Sequence, residues 1–570
     1  MKKARKKDSN QENTLYNRHT SILREEKEKM KKLTTTALSA VLALSLVGCG
    51  GSGDSNTGAT SGGNILRFGT SGIEGTFNPV VSDGVYDGYV VSLVFEGLIS
   101  NDAEGQYIPS LAESWELSDD KLTYTFTLKD GITFSDGSAL TADDVAFTYN
   151  TIKEADYAGP RSAVGAAIDT VTVVDDKTIA FKMVKASPAN IANFTYGIMS
   201  KEYYAHSSFE ELTQKNPTPM GTGKFVLEDG GYAPKQYVKL TKNENYWDAE
   251  NAPKIDGVTL SEVSEDTVLS ALQAGEIDMC QPAAKAENVE AIDGMDNSHL
   301  VSYLGNGYTF MAFNTTRPTL AQTEVRQALM YALDRKSFLK AEYGSDDLVS
   351  LGMAPISPVS WAYPGNDELN AYDYDLDKAA KMLDDAGWKD TDGDGIRDKD
   401  GTPLHLNWLI YTESTWPGTL SSMAYDSWSQ IGVDLEITQM DFNTVSSTVM
   451  DAEPGQKDFD IYTMGFSLSI DPDPTGGLFD ADAYVAGGFN ATGFRDDKSQ
   501  ELVAEGLAEF DQDKRAEIYK EWAIRQNELV PTVVIAYRSE IWGIANRVHG
   551  LDDLGSYQDF TYFISDVTLD

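Results

Sequence analysis

Past Val47 no stretch of the chain approaches the ~20 consecutive apolar residues that a membrane-spanning helix needs; its apolar residues come in strand- and helix-sized runs separated by polar turns. At 570 residues, 41% of them hydrophobic, the chain is too long for one ordinary core and holds enough apolar material for two. Everything past the N-terminal region is therefore expected to be water-soluble, globular and multi-lobed.

Charge narrows the function. Of 46 basic and 89 acidic residues, the first 48 positions hold 11 and 5, which leaves 35 and 84 for the remainder. Such a surface repels phosphate backbones, so nucleic-acid binding is excluded, while solubility outside the cell is favoured. The two cysteines, Cys49 and Cys280, stand in different contexts. With Cys49 consumed as described next, no disulfide framework is expected, and Cys280 in Ile277-Asp278-Met279-Cys280 reads as a small buried hydrophobe.

Met30-Lys31-Lys32-Leu33 is a basic leader, Ala37 to Val47 a short apolar run, and Leu46-Val47-Gly48-Cys49 a cleavage box; together they resemble a bacterial lipoprotein signal. Gly48 is small enough for a peptidase to reach the bond before Cys49, whose thiol is expected to carry the lipid. A transmembrane anchor is the alternative, but the run is about half the length required. Residues 1–29 are polar and charged and read as an upstream extension, with 30–48 as signal and 49–64 as a flexible Gly/Ser/Thr/Asn tether.

The rest follows a mixed α/β grammar. Ile65 to Gly69 reads as a first strand, and Leu122, Tyr124, Phe126 and Leu128 alternate as a half-buried one, followed by a turn at Asp136-Gly137. Thr141 with Asp144 three residues on starts a helix. Val171 to Val174 and Ile179 to Phe181 flank a hairpin turn at Asp175-Asp176-Lys177. Ser264 to Ala274 predicts a helix stopped by Gly275, and Val325, Ala328, Leu329, Ala332 and Leu333 mark the clearest amphipathic helix.

Several blocks resemble the peptide and nickel class of extracellular solute-binding proteins, family 5. They are LAESWELSDDKLTYTFTLKDGITFSDGSALTADDVAFTYN from Leu111 to Asn150, FNP at Phe77, VFEGL at Val94, PMGTGKF at Pro219, ALQAGEIDM at Ala271, NTTRPTLAQTEVRQALMYALDR from Asn314 to Arg335, and GFSLSIDPDP at Gly465. The resemblance implies an α/β, two-lobe periplasmic-binding-protein type II fold with an extra subdomain on the first lobe. Residues 65–300 would form lobe I, with the subdomain at about 98–218; 301–529 would form lobe II, and 530–570 would return to lobe I. It also implies a receptor that closes on a solute, favoured to be a peptide, and delivers it to the permease subunits of an ABC importer from the outer face of the membrane, as a monomer and without a cofactor.

By the same resemblance Phe77, Asn78, Tyr86, Tyr308, Asn314, Phe466, Ser469, Asp471 and Asp473 are the candidate ligand contacts. Peptide-binding members commonly anchor the ligand's amine with an aspartate three residues after an aromatic. Counted from Phe466, that position holds Ser469, which leaves Asp471 and Asp473 as the acids able to substitute, or a ligand without a free amine. Tyr86, Tyr308, Phe310 and Phe466 could stack on a ligand or simply fill core.

Asp390 to Gly401, DTDGDGIRDKDG, places oxygens at positions 1, 3, 5 and 9 of a calcium-type loop with Gly395 at 6, but position 12 is Gly401 rather than a bidentate acid. The competing reading is a tight polar turn held by Asx-type bonds. No metal site is assigned. G-x-S-x-G, H-E-x-x-H and Walker motifs are absent, and His19, His206, His299, His405 and His549 are scattered, so neither catalysis nor nickel capture by a histidine cluster is expected. A secreted hydrolase, a ligand-sensing receptor, and transport of an oligosaccharide are the alternatives.

Overall fold

The computed structural model describes residues 63–570. The upstream extension, the signal, Cys49 and all but the end of the tether lie outside the described residues.

One long strand organises the molecule. Thr532–Ala545 pairs antiparallel with Gly307–Phe313 and Val349–Leu351 over its first half, then with Ser298–Leu304 and Met279–Cys280 over its second. On one side the sheet continues through Ile461–Ser467, His405–Tyr411 and Asp434–Met440; on the other it continues through Ile65–Thr70, Gly257–Glu262, Tyr237–Lys242 and Phe225–Ala233. Ile65–Thr70 runs parallel to both of its neighbours, the mixed pairing expected of an α/β chain. A separate four-stranded antiparallel sheet, Ala112–Leu117, Thr123–Leu128, Thr178–Met183 and Ile168–Asp175, carries the helix Ala142–Ile152 against it.

The apolar residues divide accordingly. One core draws on Leu66 to Val301 and resumes at Trp542 through Val567, whereas two others draw on Tyr308 to Tyr537. This is the two-lobe type II arrangement, with chain ends sharing a lobe. Aromatic packing shows why the ends return: Phe68, from the first strand, lies 5.7 Å from Trp542 and 5.4 Å from Phe560, and Tyr89 lies 5.1 Å from Phe560. Each such pair adds about 0.5–1.5 kcal/mol beyond its buried area. An ionic lock joins the same elements. Asp278 accepts bonds from Arg67 N (2.9 Å), Nε (2.9 Å) and Nη2 (2.6 Å) and from Arg547 Nε (2.8 Å) and Nη2 (2.7 Å).

Local patterns hold closely. Thr141 and Asp144 form a reciprocal capping box, satisfying two otherwise orphaned N–H groups. The amphipathic run is the helix Thr323–Tyr331, and the run ending at Gly275, whose φ is +70°, is the helix Glu265–Gln273. The hairpin forms between Ile168–Asp175 and Thr178–Met183. Cys280 is free and buried, and burial pushes its thiol up to about 12, which makes it inert.

Candidate functional site

The strand Ile461–Ser467 delivers a loop into a cavity of about 220 Å³. Ladder pairing ends at Ser467, Pro472 and Pro474 beyond it cannot donate to a resumed ladder, and Asn306 Nδ2 holds the departing chain through Leu468 O (3.0 Å) and Ser469 O (3.1 Å). Tyr308 and Phe466 are cross-strand partners and stack at 6.0 Å; Phe489 meets Phe466 edge-on at 6.2 Å. With Ile356, Leu478 and Trp522 these rings give the cavity an apolar wall.

The two loop acids differ. Asp471 is taken by Arg515 in a bidentate pair, Nη1 to Oδ2 at 2.5 Å and Nη2 to Oδ1 at 2.8 Å, with side chains only 12% and 4% exposed. Expected as a ligand anchor, Asp471 here uses both oxygens to hold the loop to the helix Gln512–Leu529. Asp473 lines the cavity, accepts only from Thr475 N (2.9 Å) and Oγ1 (2.6 Å), and has no ion-pair partner among the described residues. Burial raises its carboxyl above the ordinary range, the Thr475 bonds partly opposing this. Ser469 also lines the cavity.

A second cavity of about 220 Å³ shares Asn306, Tyr308, Phe466 and Ser467 with the first and reaches Tyr303, Arg538, Glu540 and Ser556, where the long strand passes between lobes. Burial raises the Glu540 carboxyl, and Gln281 Nε2 donates to it at 3.1 Å. The lobes meet across this region: Tyr557 Oη donates to Val359 O at 3.3 Å, and Lys285 Nζ bonds Thr415 Oγ1 at 3.0 Å.

Phe77, Asn78 and Asn314, also expected as ligand contacts, do not line these two cavities. Phe77 is buried edge-on against Tyr232 at 5.1 Å. Asn78 is buried and organises a turn, its Oδ1 accepting from Val80 N and its carbonyl from Val81 and Ser82 N. Asn314 donates to Phe459 O at 2.9 Å and accepts from Thr316. The Asn78 Nδ2 is buried without a hydrogen-bond partner. Tyr86 is half-buried and lines a different hollow, of about 160 Å³, on the first lobe beside Gln281. Phe310 is buried. In the loop at 390, Asp390 accepts from Gly393 and Gly395 N, Asp394 from Ile396 N and Asp398 from Thr391, so Asx-type bonds shape it. The exposed carboxylates of Asp390, Asp392 and Asp394 lie within 4.8 Å of one another.

The sequence profile of bacterial extracellular solute-binding proteins, family 5 (middle region), matches residues 106–483. The chain belongs to this family. Among curated relatives of this family 5 protein, the oligopeptide-binding protein AppA of Bacillus subtilis is 27% identical, covering 92% of this chain and 96% of its own. Heme-binding protein A of Haemophilus influenzae is equally 27% identical, over 91% and 96%. Among solved structures, AppA of B. subtilis in complex with a nonapeptide superposes with a TM-score of 0.75 at 26% identity, and the ABC transporter substrate-binding protein CtaP of Listeria monocytogenes with 0.76 at 27%; each covers 89% of this chain and 99% of its own. In this family 5 protein the residues that sequence reasoning missed around the two cavities are Asn306, Arg538 and Glu540, which line them, and Arg515, which holds Asp471 at the first.

Proposed function

We propose that this protein is the substrate-binding component of an ABC importer and captures a peptide by its free amine in the hollow beneath Phe466. The carrying observation is Asp473: a desolvated carboxylate lining a cavity, without an ion-pair partner among the described residues, beside an acid already neutralised by Arg515. A half-buried anion in that position is relieved by a cation, and an α-amine supplies one together with three hydrogen-bond donors. The aromatic wall suits peptide side chains of many kinds, and the similarity to AppA supports the same reading. The equal identity to a heme-binding relative means that overall similarity alone does not choose between solutes; the acid favours one that carries a cationic group.

Lobe I is taken as 65–304 with 540–570, and lobe II as 305–539. The crossing is set within the long strand rather than at 530, because residues up to Tyr537 pack with the second lobe and Trp542 with the first. The extra subdomain is built around the four-stranded sheet. Cys49 is the lipid attachment point, the protein works as a monomer tethered to the outer face of the membrane, and it passes intact ligand to permease subunits.

Calorimetry tests the anchor. Against a pool of nonapeptides with free amino termini, Asp473→Asn should bind roughly 10- to 150-fold more weakly, the equivalent of one charge-assisted bond of about 1.5–3 kcal/mol. N-acetylation of the pool should cost the wild type as much and the variant little. Equal binding of both pools by both proteins would remove Asp473 from the site.

A further inference from the structure

Lobe I carries a cavity of about 310 Å³ that the amine-binding reading does not use. It runs along one face of the helix Val85–Val94, lined by Gly84, Gly88 and Ser92 at every fourth position. A Cβ at either glycine would meet nothing within 4 Å, so the space lies open over the helix. Opposite stands Arg161. Its Nη2 donates to Ser82 O at 2.6 Å, its guanidinium lies 4.7 Å from the Tyr196 ring centre, and its backbone N donates to Tyr157 Oη at 2.9 Å, which in turn donates to Val80 O at 2.6 Å.

Two polar groups are left over in this built arrangement. Arg161 Nε is buried with no hydrogen-bond partner, and so is the hydroxyl of Ser82, a residue only 4% exposed; both residues line the cavity. Buried donors without partners cost stability, and proteins keep them where a ligand completes them. The helix starts at Gly84 without a side-chain cap, so its first N–H groups add to the same demand for an acceptor. Asp83, exposed, is the one carboxylate among the lining residues, and no ion pair joins it to Arg161 among the described residues.

We propose that this cavity is an oxyanion subsite in which Arg161 and Ser82 receive a carboxylate of the captured solute. Arg161 offers its unpartnered Nε as a charged donor to one carboxylate oxygen, and the Ser82 hydroxyl donates a second bond. Tyr196, stacked on Arg161, closes one side of the cavity. The assignment of the carboxylate to a peptide rests on the amine-capture reading; the oxyanion site itself does not.

The test has two arms on the full-length protein. In the first, nonapeptide pools free of Asp and Glu are compared as C-terminal acids and amides by calorimetry. The wild type should prefer the acids on the order of 10-fold or more. Arg161→Gln should abolish that preference, Arg161→Lys should restore part of it, Ser82→Ala should reduce it, and Asp473→Asn should leave the ratio unchanged. An amidated pool carrying one Glu distinguishes the source: recovered affinity there assigns the subsite to an acidic side chain rather than to the chain terminus. The second arm needs no peptide. Acetate is titrated into protein labelled with 15N-arginine, and the Arg161 Nε resonance, identified by its loss in Arg161→Gln, should shift saturably. If no peptide pool binds but that shift occurs, the peptide reading fails and the oxyanion site stands. An unmoved resonance, or acid, amide and Glu pools bound alike by the wild type, overturns the proposal.

Discussion

Asp278→Asn tests whether lobe I is closed by the ionic lock between its first strand and the returning chain. The carboxylate is 1% exposed and accepts from two guanidinium groups, those of Arg67 and Arg547, as well as from one backbone N–H. An amide keeps the shape but loses the charge and turns one acceptor into a donor facing two cations. Breaking a buried pair costs about 3–5 kcal/mol. Arg67 and Arg547 are 28% and 22% exposed and regain water, so a loss near the lower end, about 3 kcal/mol, is expected. Urea unfolding followed by tryptophan fluorescence reads it, with Trp542 in the core beside the lock. The effect should also depend on pH in one direction. Burial would raise the Asp278 carboxyl, but the bonds from Arg67 and Arg547 outweigh it and hold the group below the usual carboxylate range. A carboxyl depressed in the folded state stabilises above its unfolded value of about 3.9 and loses that contribution as pH falls through its folded value. The gap between wild type and variant should thus be full at pH 7 and shrink below about pH 4. A loss under 1 kcal/mol at pH 7, or a gap unchanged down to about pH 3, would refute the lock.

Asp471→Asn should behave as a stability defect of about 3 kcal/mol, with a double-mutant cycle against Arg515→Gln showing strong coupling, and should not reproduce the acetylation insensitivity of Asp473→Asn. If Asp471→Asn instead leaves stability alone and abolishes amine preference, the roles of the two acids are reversed. Cys49→Ser should release the protein from membranes into the medium, and retention after carbonate washing would contradict a single lipid anchor.

What the sequence made legible was mostly short-range. Thr141 with Asp144, the periodic run at 323–331 and the hairpin turn at 175–177 are set by neighbours a few residues apart, and each forms as its pattern predicts. The family blocks carried the two-lobe architecture. The site was less legible because its chemistry is decided at long range. Asp471 and Asp473 look alike in sequence, and only Arg515, 44 residues beyond Asp471, separates a strut from a free acid. Asn314 has the polarity of a ligand contact, yet its amide donates to Phe459 O, 145 residues on. Arg161 and Ser82 lie 79 residues apart, and no local pattern announces that they share a cavity. The continuous apolar character of Thr532–Ala545 likewise hides that its two halves belong to different lobes, since only Arg538, Ser539 and Glu540 interrupt it.

Peptide capture without cleavage is tested most directly by native mass spectrometry of the protein purified from cells, followed by ligand release and sequencing. The account predicts an intact peptide with a free amino terminus, one per protein, displaced by added nonapeptides that are recovered uncut. Recovery of a porphyrin, a sugar or cleavage products of the added peptide would contradict it.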